Sequence, residues 1–129
     1  MDRWLAGVLA LVLGANGLVQ LIAPFWWYGV VPGVPLTGAY NPHFVRDIGA
    51  AYLVAAGGLA WFAAKPTAGW PALAAGVGFL SLHAGIHLFD ASCSASPIPA
   101  LIRDFPGVYL PALISAAIAV LRRPHWKES

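Results

Sequence analysis

From Trp4 to Ile22 the chain runs for 19 residues without a charged side chain. An α-helix needs roughly 20 apolar residues to cross the hydrocarbon layer of a bilayer. Three further segments are similarly apolar, at about 43–64, where Arg46 and Asp47 fall near the start, and at about 70–89 and 105–121. The bilayer core offers no water to an open backbone, so segments of this length that enter it must be helices. With 60% hydrophobic and 9% charged residues, the 129-residue chain lies outside the usual composition of soluble domains. The sequence therefore predicts a single all-α domain over 1–129, an integral membrane antiparallel four-helix bundle with helices at about 4–22, 43–64, 70–89 and 105–121.

Prolines and polar residues punctuate these segments. Ala23-Pro24 ends the first. Residues 24–41 hold Phe25, Trp26, Trp27 and Tyr28, then Pro32, Pro35 and several glycines, and are expected to be a non-helical connection. Its aromatics suit the interfacial belt. A connection of that length can also roof a cavity that admits a lipid-soluble substrate, such as a quinone, sideways from the bilayer. Asn41-Pro42 supplies a cap and a first-turn proline for the second helix, which Lys65-Pro66-Thr67 ends. Trp70-Pro71 opens the third. Residues 91–104 are rich in Ser and Pro, with a short amphipathic turn expected over 100–104. Pro106 falls in the first turn of the last helix, and Pro111 should kink it.

Four spans put Arg3, Lys65, Arg122, Arg123 and Lys127 on one side and Arg46 and Arg103 on the other. The positive-inside rule then predicts both termini in the cytoplasm of a bacterial inner membrane, with the other face periplasmic. Arg122, Arg123, His125, Trp126 and Lys127 form a basic, aromatic exit into the headgroup region. The net charge of +2 is too small and too scattered for a nucleic-acid surface. Cys93, the single cysteine, can form neither an internal disulfide nor a CxxC pair. Arg3 before an apolar run resembles a signal peptide, but no A-x-A pattern follows, and the segment is read as retained.

The polar residues gather at one end of this layout. His83, His87 and Asp90 share a helix face near the end of the third span, while His43 and Asp47 share a face at the start of the second. Asn16 and Gln20 lie near the outer end of the first. Ionisable groups at membrane depth are costly, which makes this cluster the candidate site. His43, Asp47, His83 and His87 offer three nitrogens and one oxygen to a transition metal, with zinc, iron and copper all suited. Asp90, Asn16, Gln20 and Arg46 would then orient the ligands. Haem ligation by His43 with His83 or His87 ranks below a single ion, because nothing else marks a porphyrin slot. A proton relay would lack ionisable groups in the inner half of every helix, and Ser81, Ser92, Ser94 and Cys93 have no nucleophile motif around them.

The alternative is a polar network that fixes helix register, with Arg46 paired to Asp104 or Asp90 and Arg103 to Asp47. The chain would then be a non-catalytic scaffold or small subunit, meeting a second copy or a membrane partner through the stripe Ala6, Ala10 and Gly14.

The layout resembles small bacterial four-helix membrane proteins of the broad DoxX-like group. The resemblance rests on Gly17-Leu18 through Ala23-Pro24, an aromatic connection, Asn41 through Arg46-Asp47-Ile48-Gly49-Ala50-Ala51-Tyr52-Leu53, and a short basic tail. It implies a membrane bundle, and in some members quinone-linked redox chemistry. It assigns no residue roles, and His43, His83 and His87 depart from the simplest members.

Overall fold

The computed structural model describes residues 2–124, which contain helices and turns and no strand. His125, Trp126 and Lys127 of the expected basic exit lie outside the described residues. The helices are α1 (Asp2–Ile22), α2 (Pro24–Val30), α3 (Pro42–Ala64), α4 (Pro66–Cys93), α5 (Pro97–Asp104) and α6 (Leu110–Leu121). A 3-10 turn covers Val34–Leu36, and a π-helical turn, Phe105–Tyr109, joins α5 to α6. Four helical segments are long and apolar enough to cross a membrane: α1, α3, α4 and the continuous stretch Pro97–Leu121.

Proline sets most of the starts. Pro24, Pro42, Pro66 and Pro97 each open a helix, where a missing N–H leaves no bond unmade. Asn41 caps α3 as expected, its Oδ1 accepting from the backbone N–H of His43 at 3.0 Å and of Phe44 at 3.3 Å.

Three local expectations change. Residues 24–30 are helical, because Pro24 starts a turn that the aromatic run can continue; the break is at Ala23, whose extended φ of −135° turns the chain. The third span begins at Pro66 and runs to Cys93, with Pro71 inside it. Pro71 lies one turn in, so it removes a single early bond without ending the helix. The distortion expected at Pro111 falls before it, in the π-helical turn. Pro106 and Pro111 both lack an N–H, and the wider turn, in which the Leu110 N–H reaches back to Phe105 O, falls between them.

Packing follows the small residues. α1 buries Ala6, Leu9, Leu13, Gly17 and Gln20, a stripe at spacings of three and four, against α3. At the closest approach two glycines meet: a Cβ on Gly17 would lie 2.6 Å from Gly49 O, and one on Gly49 would lie 2.8 Å from Gly17 O. α3 and α4 fold back on each other through Lys65. A Cβ on Gly58 would meet Ala72 O at 2.5 Å, and one on Gly69 would meet Phe62 N at 2.5 Å. α6 packs on α4, where Trp70 Nε1 donates to Ala119 O at 2.9 Å. The core between them includes Leu59, Phe62, Leu73 and Leu80.

Side-chain bonds tie the helix ends together. At one end Arg3 donates from Nε to Ala63 O at 2.8 Å and from Nη2 to Ala64 O at 3.2 Å, and Arg122 Nε donates to Asp2. At the other end Arg46 Nε donates to Leu21 O at 3.2 Å, reaching carbonyls that the last turn of α1 leaves open. The outer faces between these ends carry exposed Leu11, Val54, Leu82, Ile86, Leu113 and Val120.

Candidate functional site

The polar groups meet where the last turns of α4 approach α5. His83 and His87 stand one turn apart on α4, and their rings adjoin with centroids 4.8 Å apart. His83 is stacked against Phe79 and meets the edge of Tyr52 on α3, at centroid distances of 5.7 and 5.6 Å. These two aromatic neighbours fix its ring plane.

His87 is held by a different kind of contact. Its Nδ1 lies 2.9 Å from Asp104 Oδ2. An ionised carboxylate can only accept, so Nδ1 is the donor here, and Nε2 is the ring nitrogen left for a further partner. Asp104 is buried at 8% exposure and takes two more bonds from Arg103, Nε to Oδ1 at 2.7 Å and Nη2 to Oδ2 at 3.1 Å. The carboxylate is thus neutralised and committed to its neighbours. Its place depends on α5: a helix over Pro97–Asp104 swings the carboxylate back over α4, where an irregular connection would leave it at the rim.

Arg103 also carries the connecting segment. Gly33, with φ of +87°, lies against the guanidinium, and the 3-10 turn Val34–Leu36 follows it. The aromatic segment leading there is itself anchored. Trp27 Nε1 donates to Asn16 Oδ1 at 2.8 Å, Tyr28 donates to Gly38 O, and Tyr40 meets Phe25 and Tyr28 edge-on.

The residues singled out in the sequence separate into two groups. His83 and His87 come together as expected. His43 and Asp47 form their own pair, Nε2 to Oδ2 at 3.4 Å, with side chains 84% and 58% exposed. Asp90 is exposed, and Asn16 is engaged by Trp27. Gln20 is fully buried, and neither end of its amide finds a partner among the described residues. Arg46 bonds to Leu21 O, not to Asp104 or Asp90, and Arg103 bonds to Asp104, not to Asp47. Among the described residues no three His, Cys, Asp or Glu side chains stand close enough to hold one metal ion together. The residue that the sequence left at the margin is Asp104; the Arg103-Asp104 dipeptide after a proline-opened amphipathic stretch was the available signal.

An apolar groove of about 560 Å³ runs between α4 and the Leu101–Ala116 region. It is lined on α4 by Ser81, Gly85 and Leu88, on a different face from His83 and His87, so it is separate from the histidine pair.

Comparison with protein-family models, curated proteins and solved structures yields no match for this chain.

Proposed function

We propose that this chain is an integral membrane protein, an antiparallel four-helix bundle with both termini in the cytoplasm of a bacterial inner membrane. Its outer end would carry a transition-metal site built on His83 and His87. The observation that carries the reading is the Asp104–His87 contact. Metal-bound imidazoles commonly donate their other ring nitrogen to a carboxylate, which fixes the tautomer and raises the basicity of the ligating nitrogen. Asp104 stands in that relation to His87, with Arg103 holding the carboxylate in place. The role first expected of Asp90 passes to Asp104. Two protein nitrogens leave positions for solvent or substrate, as a reactive site requires. Zinc, iron(II) and copper(II) all accept such ligands. His43 and Asp47 do not enter this set.

A second reading is favoured by the saturation of Asp104. Three bonds from Arg103 and His87 close the network without any ligand, as a clasp between α4 and α5 would require. The chain would then be a scaffold or small subunit, and the cluster would fix register at the outer rim.

Metal analysis of detergent-purified protein separates the two. The metal reading expects about one equivalent in the parent, none in a folded His83→Ala/His87→Ala variant, and affinity about 10- to 100-fold weaker in Asp104→Asn. Negligible metal in the supplemented parent would leave the clasp.

A further inference from the structure

The opposite end of the molecule holds a second polar feature that the histidine site does not use. A pocket of about 620 Å³ opens between the start of α1 and the ends of α3 and α6, and its lining includes Asp2, Arg3, Trp4, Phe62, Pro66 and Arg122. We propose that it binds the headgroup of an anionic phospholipid, an inference that rests on the membrane reading above.

The charges favour an anion. Arg3 covers the open carbonyls of Ala63 and Ala64, which removes the negative end of α3 from the pocket, while its Nη1 has no partner among the described residues. Arg122 gives Nε to Asp2, and its two terminal nitrogens have no partner among the described residues. Among the described residues two guanidiniums therefore face one carboxylate, and exposed Lys65 and Arg123 flank Pro66 and Arg122 in the chain. Guanidinium forks match phosphate oxygens better than any other side chain.

The walls favour a lipid over a free phosphate. Phe62, Ala63, Pro66 and Gly7 make one side apolar, and Trp4, 82% exposed, stands at the mouth. A phosphodiester would sit on the arginines while its glycerol and first methylenes lay along the apolar wall, at the level where tryptophan favours the membrane interface.

The test is native mass spectrometry of the full chain released from mixed micelles of phosphatidylglycerol and phosphatidylcholine. The parent is expected to retain phosphatidylglycerol by about tenfold over phosphatidylcholine, the effect of one charge-assisted hydrogen bond. Arg122→Gln should abolish this preference. Asp2→Asn should increase it, because it removes the negative charge that offsets Arg122; this variant keeps the Arg3 bonds, so the prediction does not depend on a variant that fails to fold. Equal retention of both lipids by the parent, an unchanged preference in Arg122→Gln, or displacement by millimolar inorganic phosphate would each overturn the proposal. Alkaline carbonate extraction of the parent from membranes separates the two levels. Release would overturn the membrane reading and the lipid site with it, whereas a chain that stays in the membrane and shows no lipid preference overturns the lipid site alone.

Discussion

Arg103 lies directly against Gly33: a Cβ on that glycine would come within 2.5 Å of the guanidinium carbon. The contact couples the connection after α2 to the site, because the same guanidinium holds Asp104, and Asp104 holds His87. A segment far from His87 in sequence is thereby linked to it through two side chains.

Gly33→Ala tests that coupling. The substitution adds a Cβ where the guanidinium already sits, at a φ of +87° that L side chains rarely adopt. Backbone strain of this kind costs about 1–3 kcal/mol. The expected outcome is faster amide hydrogen exchange over 31–37, together with a shifted His87 imidazole signal. Alanine at Gly38 would not move His87, since its φ of +146° is strained but no side chain lies within 4 Å of its Cβ position. A His87 signal unchanged by Gly33→Ala would disconnect the loop from the site.

Asp104→Ala removes the acceptor shared by Arg103 and His87. A partly buried guanidinium and an imidazole N–H would both lose their partner, at a cost of about 2–3 kcal/mol. Asp104→Asn keeps the shape and one acceptor oxygen, so its cost should be smaller, about 1 kcal/mol. Thermal unfolding in detergent ranks the two. Equal, negligible losses in both would show that the network is dispensable for stability and would weaken the clasp reading.

Asn16→Ala leaves Trp27 Nε1 without its acceptor and detaches α2 from α1 at that point. One neutral hydrogen bond is worth about 1 kcal/mol. The expected result is accelerated exchange of the Trp27 indole proton with little change in the cooperative unfolding of α3 and α4. Loss of the whole fold would show that α2 carries more of the stability than its single bond to α1 implies.

The helical spans were legible because charge is absent over most of each, in runs close to the thickness of a bilayer, and that signal does not depend on packing. The cap at Asn41 was equally legible, since it is a local contact between neighbouring residues. The helix of residues 24–30 was not, because Pro24 reads as a breaker unless it falls at a first helical position. The site divides along the same line. Helical spacing of four placed His83 beside His87 and His43 beside Asp47. It could not choose which carboxylate crosses from another helix, and the choice of Asp104 over Asp90 depends on the angle at which α5 returns over α4. The exposure of the His43–Asp47 pair is likewise a property of the packed helices and not of their periodicity.

The small-residue stripe gives the last prediction. Spacing alone pointed to Ala6, Ala10 and Gly14 as the close-contact face of α1. Ala6 is buried, but a Cβ on Gly14 would meet Ala56 Cβ at 3.6 Å, an ordinary contact, whereas one on Gly17 would strike the Gly49 carbonyl at 2.6 Å. The backbone approach therefore falls three residues further along, and the two glycines should respond differently. Gly14→Ala is expected to be neutral or slightly stabilising, since alanine favours the helix by about 1 kcal/mol and finds space. Gly17→Ala should cost about 1–3 kcal/mol, because α1 must move away from α3 and the Leu13 and Gln20 contacts open with it. Gly49→Ala should behave as Gly17→Ala does, from the other side of the same contact. Thermal unfolding of the three variants in one detergent decides the matter: the order Gly14→Ala above Gly17→Ala and Gly49→Ala supports the crossing at Gly17, and equal midpoints for all three would place the closest approach of α1 and α3 elsewhere.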